Sequence, residues 1–325
     1  MSIIDEIFSN IWLVTTIKVM AIMIFFLTAP MVVGYAEHKV LAHMQARLGP
    51  MEAGRFHGWA QLIADGVKFI QKEDIIPSAA DRWVFSLAPA VFVVPVVLLF
   101  VVIPFGPDLF SENLDLGLFF IMAVSAVSVI GVLMAGWASA NKFSLIGALR
   151  AAAQLIAYEL PLILAAVAVA VLAGSLSLVD IVEAQRTYWY VLVQPIGFAI
   201  FIMASLAELT RPPFDMPIAD SEIIFGAYTE YAGLKFAFFL LAEYAGIVAL
   251  SAIASVLFLG GYLGPILPAP IWMLGKIGAL SFFIIWLRAT YPRLREDQLQ
   301  RFSWIGLIPL ALVNILVTAV VKVLV

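Results

Sequence analysis

Residues 207–233 read AELTRPPFDMPIADSEIIFGAYTEYAG. The stretch holds Glu208, Asp215, Asp220, Glu222 and Glu230 and a single basic residue, Arg211. Pro212, Pro213 and Pro217 exclude a regular helix through it, because proline removes a backbone donor and restricts the residue before it. On either side lie apolar runs, roughly 190–208 and 235–258, each near the ~20 residues with which a helix crosses the hydrocarbon core. Irregular, acidic backbone between two crossing helices survives near membrane depth where it lines a wet cavity or a protein interface. The stretch therefore points to a polytopic, all-α membrane protein and marks its own candidate site.

The composition agrees. Of 325 residues, 64% are hydrophobic and 12% charged, and the mean hydropathy is +1.06. Soluble chains carry about a quarter charged residues, so the excess apolar surface has to face lipid. A net charge of −4 gives no argument for nucleic acid as a partner. With no cysteine there is no disulfide, thiolate-held zinc or iron–sulfur cluster held by this chain. His38, His43 and His57 fall in one loop region, which argues against a haem held between facing helices. Electrons for any redox step then come from another subunit. Asp5 and Glu6 precede the first apolar run, unlike the basic start of a signal peptide, so that run is expected to be retained.

About eight spans are predicted, roughly 11–34, 83–105, 118–140, 156–173, 190–208, 235–258, 270–290 and 303–323, in one membrane domain covering 1–325. Lys39, Arg47, Arg55, Lys68, Lys72, Arg82, Lys142, Arg150, Arg211, Lys235, Arg288, Arg293, Arg295 and Arg301 gather on one side. The other side has Arg186 and Lys322, while Lys18 and Lys276 fall within predicted spans. The positive-inside rule places the loops after the first, third, fifth and seventh spans on the inner face, and both termini outside. The inner loops are also the long ones, so the working face is expected there. In the first of them, Trp59, Ile63, Val67 and Ile70 recur at helical spacing opposite Gln61, Asp65, Lys68 and Lys72. This predicts an amphipathic interfacial helix over about 55–72, acting as a surface anchor or as the roof of a lateral opening for a lipid-soluble molecule.

Glu37, Glu159, Glu208 and Glu243 lie at the ends of apolar runs or within them. Carboxylates at such depth face protein or a water-filled cavity, and burial and like-charge neighbours favour their protonated form. Glu159, Glu208, Glu222, Glu230 and Glu243, with few bases to neutralise them, are expected to form a proton or cation path. The opposing expectation is that Tyr158, Tyr231, Tyr244 or a buried arginine caps each one. Lys18 and Lys276 are expected to pair with these acids or to mark relay points, with snorkelling the better account of Lys18.

Five stretches carry a family resemblance: AEHKVLAHMQARLGP (36–50), QLIADGVKFIQKEDIIPSAADRWVFSLAP (61–89), AGWASANKFSLIGALRAAAQLIAYEL (135–160), AELTRPPFDMPIADSEIIFGAYTEYAGLKFAFFLLAEY (207–244) and RATYPRLREDQLQ (288–300), the last followed by PLALVN. Over nearly its full length the chain resembles the quinone-module membrane subunit of respiratory complex I, subunit 1 of NADH:quinone oxidoreductase. The resemblance implies a membrane subunit of a proton-pumping translocase in an energy-transducing membrane, a bacterial plasma membrane. Quinone is the implied substrate, with nothing bound covalently, and the iron–sulfur clusters and flavin belong to partner subunits. The implied partners are hydrophilic iron–sulfur and quinone-reducing subunits docked on the inner loops, small and antiporter-like membrane subunits, and membrane lipid. The acid path it implies maps to Glu159, Glu208, Asp220, Glu222, Glu230 and Glu243. The quinone tunnel and its mouth map to Glu37, Lys39, Arg47, Asp65, Arg211, Phe214, Asp215, Arg288, Arg293 and Arg295. No metal site is implied.

The chain departs from the family pattern at His38 (usually arginine), Met51 (usually asparagine), Ile218 and Asp220 (usually glutamates) and Glu296 (commonly aromatic). With Ile218 lacking a carboxyl, Glu222 is the loop acid expected to matter most. The alternatives are the membrane anchor of a related hydrogenase or ferredoxin-driven complex, a stand-alone ion transporter, and a scaffold whose charges are all paired.

Overall fold

The computed structural model describes residues 11–324, except the side chains of Asp220 and Ser221; Asp5 and Glu6 lie outside the described residues. Among the described residues there is no strand. Seven helices are long and apolar enough to cross a membrane. They are α1 (Ile11–Met44), α3 (Arg82–Val102), α4 (Gly117–Ala138), α5 (Lys142–Ala173), α10 (Gly233–Phe258), α11 (Ala269–Thr290) and the last helical run. That run joins α12 (Glu296–Arg301), a π-helical stretch (Phe302–Leu307) and α13 (Ile308–Leu324). Shorter helices are α2 (Gln61–Gln71), α6 (Leu178–Ala184), α7 (Tyr190–Val193), α8 (Pro195–Glu208) and α9 (Asp220–Ile223).

The span expected over 190–208 is broken. Gln194 leaves helical geometry at φ −125 and ψ 57, and Pro195 opens α8 with no N–H to give back. The 14 residues of α8 reach about 21 Å, short of the ~30 Å hydrocarbon core. The span expected over 156–173 starts 14 residues earlier, at Lys142. Asn141 Oδ1 accepts from Phe143 N at 2.9 Å to begin α5, and Gly174, at φ +78, ends it. Polar Arg150 and Gln154 hid this extension, because they face protein rather than lipid. The first and last spans also run past their expected inner ends, to Met44 and from Glu296. The amphipathic helix is shorter than 55–72, since positive φ at Gly54, Arg55, His57 and Gly58 winds that approach into turns. Its exposed face carries Ile63, Val67 and Ile70, while Leu62 reaches Gly34 of α1.

Loops segregate to two ends. At one, Asp81 N donates to Ala138 O at 3.2 Å and Leu294 N to Pro213 O at 3.0 Å. At the other, Leu118 N donates to Leu176 O at 2.9 Å and Gln185 Nε2 to Val256 O at 2.8 Å. The first end is the basic one. Exposed Trp83, Trp137 and Trp304 ring it, as tryptophans do at a membrane interface.

The core is built around α5, α8 and α10, whose alanines (Ala148, Ala151, Ala165, Ala168, Ala204, Ala249, Ala252) are buried and let backbones approach closely. At the end away from the basic loops Lys276 pairs with no acid among the described residues. Its ammonium donates to Leu259 O, Gly261 O and Leu263 O at 2.6, 2.7 and 2.8 Å, and lies 4.6 Å from the Trp189 ring centroid. The cation gathers the carbonyls of the turn that follows α10, at the negative end of that helix's dipole.

Candidate functional site

The segment 209–217 leaves α8 in an irregular path, with Thr210 at φ +50 and a cis bond between Pro212 and Pro213. Gln154, fully buried on α5, holds it. Its Nε2 donates to Ala207 O at 2.8 Å and Phe214 O at 2.7 Å, tying the end of α8 to the irregular segment. Farther along, Gly226 sits against Gly147 of α5. A Cβ at Gly226 would lie 1.7 Å from Pro217 O, so only glycine fits.

Successive residues of this segment face three places. Leu209, Thr210 and Pro217 line a cavity of about 80 Å³ whose wall also carries Glu208, Glu243, Tyr228, Ser125 and Ser128. At ~15 Å³ per water that is room for about five. Glu208 Oε2 is buried there without a hydrogen-bond partner among the described residues. Glu159, half-buried on α5, lies close enough to Glu208 to act on it electrostatically. Burial pushes the Tyr228 hydroxyl up, which keeps it a protonated donor on the cavity wall.

Arg211 faces the second place. Its Nη1 donates to Glu37 Oε1 and Oε2 at 2.7 and 2.9 Å, and its Nε lies 2.8 Å from Glu243 Oε1, not aligned as a hydrogen bond. The guanidinium stacks 4.7 Å from the Tyr244 ring centroid. Arg288 of α11 also pairs with Glu37. The Arg211 and Glu37 side chains are 5% and 2% exposed, so this pair is held out of water, with Glu243 partly exposed and Arg288 reaching solvent at 35%. Glu243 thus belongs to both places.

Pro213 and Phe214 face the third, an apolar cleft of about 650 Å³ that Phe198, Ile202, Phe283 and Phe302 also line. The Phe214 ring lies between those of Tyr158 and Phe302, at 5.3 and 6.4 Å.

Most of the remaining expected residues stand apart from this hub. Glu222 is on the rim at the basic end, 2.5 Å from Arg150 Nη1 and 3.4 Å from Arg293 Nη2. The hydrogen bond from Arg150 holds its carboxyl below the usual range. Glu296 joins the same clasp, 3.7 Å from Arg150 Nε. Glu230 accepts from Asn141 Nδ2 at 2.6 Å beside a polar hollow on the same face. Lys39 donates to Pro50 O at 2.5 Å and shapes its own loop. Arg47 donates to Gln45, Asp65 accepts from Gln61 and Lys68, and Arg295 forms a two-point pair with Asp297. Asp215 is close enough to act electrostatically on Arg211. The Asp220 side chain lies outside the described residues.

Two expectations fail here. The acids have more bases to answer them than the single arginine of their own segment, because Arg150, Arg288 and Arg293 reach in from remote parts of the chain. Tyr158 and Tyr231 cap no acid either; their hydroxyls donate to Leu299 O and Phe85 O at 2.9 and 3.0 Å. Arg150 and Gln154 are the site-shaping residues that sequence reasoning missed. Their signal was the i, i+4, i+8 stripe Arg150–Gln154–Tyr158 on one helix face.

A family model described as NADH dehydrogenase matches residues 17–319. The chain belongs to that family. It is 47% identical over 311 residues to the NADH-quinone oxidoreductase H-subunit of Dehalococcoides mccartyi strain CBDB1, covering 96% of this chain and 88% of the relative. With the corresponding protein of Geobacillus kaustophilus strain HTA426 it shares 48% over 292 residues, 88% and 87% of the two chains. The relative from Bacillus thuringiensis strain Al Hakam is 46% identical over 292 residues, again 88% and 87% of the two chains. Within the NADH dehydrogenase family, then, this is a multi-helix membrane subunit of the oxidoreductase complex I type, and the acidic hub lies inside the matched region.

Proposed function

We propose that the chain couples quinone reduction to proton translocation, and that Arg211 is the junction between the two. The observation that carries the reading is the double engagement of Arg211, with Glu37 on one side and with Glu243, on the wall of the carboxylate-lined cavity, on the other. Quinone reduction takes up protons and changes charge next to the berth. Any charge that draws Arg211 toward or away from Glu37 alters the field at Glu243, and Glu208 shares its cavity. A carboxylate that gains or loses its cation in a low-dielectric site changes its proton affinity, which moves a proton without a redox centre in this chain.

The quinone approaches beneath α2, in this reading. That helix rests on α1 through Leu62 and Gly34, one turn from Glu37, and Tyr244 borders the same contact. An apolar tail enters from lipid and the head meets the few placed polar groups, as in other ligand pockets. The basic end faces the cytoplasm, both termini face outward, and the hydrophilic arm carrying iron–sulfur clusters docks on the inner loops, with the remaining membrane subunits beside the spans. Glu159, Glu208 and Glu243 form the buried part of the path, and Glu222 and Glu230 its inner rim.

The test uses inverted membrane vesicles holding the assembled complex, with NADH oxidation and acidification recorded together. Glu208→Gln keeps the shape of the side chain and removes its proton. Loss of acidification per NADH, at wild-type amounts of complex, supports the reading; an unchanged ratio ends it.

A further inference from the structure

Lys18 is a charge in a crossing helix that the acid path leaves unused. Its ammonium donates to Ser111 O at 2.5 Å, and none of the ion pairs among the described residues includes it. An ammonium has three donors, so two N–H groups remain to be answered. The lysine stands at the head of an apolar groove of about 300 Å³ lined by Phe25, Phe100, Phe105, Leu109 and Leu274.

The depth of the two parts is informative. Ser111 belongs to the connection between α3, which ends at Val102, and α4, which begins at Gly117, so with the basic end facing inward as proposed above the ammonium sits at the outer interface. Ile22 and Phe25 of the same groove lie about 6 and 10 Å farther along α1, toward the membrane centre. A polar head outward and an apolar channel below it match an amphiphile of the outer leaflet. A phosphate answers the free donors of Lys18, and an uncompensated cation at a lipid surface favours that contact. Asp108 and Glu112, both exposed, flank Ser111, so the local field favours a headgroup that carries its own cation.

We propose that this groove binds one outer-leaflet phospholipid of the phosphoethanolamine type, its phosphate on Lys18 and an acyl chain against Phe25 and Phe105. The lipid fills the seam between α1, the connection around Phe105 and α11. Phe25 already packs across that seam, 5.0 Å from Phe105 and 5.4 Å from Phe100. The site is separate from the hub, which lies at the opposite end of α1.

The test is photolabelling of the intact complex in lipid nanodiscs with a phosphatidylethanolamine bearing a diazirine on its acyl chain, followed by peptide mapping. Label is expected on the segments around Phe25 and Leu109. In Lys18→Gln it falls about fivefold, equivalent to the ~1 kcal/mol of one lysine at a lipid surface, while Lys18→Arg keeps it. Ala21→Trp fills the groove, abolishes the label and leaves NADH-driven quinone reduction unchanged. Equal labelling in all four proteins, absence of label from the wild type, stronger labelling by a net-anionic lipid, or competition by inorganic phosphate or by a quinone would each overturn the proposal.

Discussion

Arg211 Nη1 holds both carboxylate oxygens of Glu37, at 2.7 and 2.9 Å, across 174 residues of sequence. The pair ties the basic-end part of α1 to the irregular segment after α8. Both side chains are almost fully withdrawn from solvent, so breaking the pair costs more than the net worth of forming it.

Arg211→Met removes the cation, leaves Glu37 with Arg288 alone and strands Glu243. A loss of ~3–5 kcal/mol is expected, seen as a sharp fall in assembled complex on native gels. Arg211→Lys keeps the charge but not the two-point geometry, and should retain assembly better than activity. Combining Arg211→Met with Glu243→Gln should recover part of the assembly, because the stranded charge is gone.

Gln154→Leu removes the side-chain donor from Phe214 O, while Ala207 O keeps only the backbone N–H of Thr210 at 3.1 Å. A buried orphan costs about 1–3 kcal/mol, so the segment 209–217 should loosen. Faster amide exchange there, with unchanged exchange in α3 and α4, is the expected pattern; uniform protection would refute the clamp.

The rim clasp is sensitive to acid. Arg150 depresses the Glu222 carboxyl in the folded state, so its stabilising effect is present above the ordinary carboxylate range. That effect is lost as pH falls through the folded value. Glu222 is half-exposed, and solvent screening limits the contribution to ~0–1 kcal/mol. Proteolysis of the 218–225 loop should therefore accelerate below the carboxylate range and at high salt. Glu222→Gln should show the fast rate already at neutral pH, with no further acid dependence from this pair.

Gly226→Ala places a Cβ 1.7 Å from Pro217 O at a backbone φ of +54. The loop has to shift away from Gly147, and the variant should assemble poorly. Wild-type assembly together with wild-type proton translocation would show that the loop tolerates another path.

The membrane class, most of the spans and the two-sided distribution of loops were legible in the sequence, because lipid tests each segment by itself: length, hydropathy and flanking charge are local quantities. The acidic segment was legible for the same reason, since three prolines forbid helix wherever they fall. Local rules also misled. They stopped the fourth span at its polar residues, although Arg150 and Gln154 point at protein, and they joined α7 and α8 across a break at Gln194.

Which acid meets which base was decided by the tertiary structure alone. Glu37, Arg211, Glu243 and Arg288 are spread over four segments, and nothing in their spacing says that they share one neutral cluster while Glu222 stays on the rim. Charge pairing out of water depends on distance and on the dielectric around the pair. Both are fixed only when remote helices pack, so the sequence named the participants and the fold chose the partnerships.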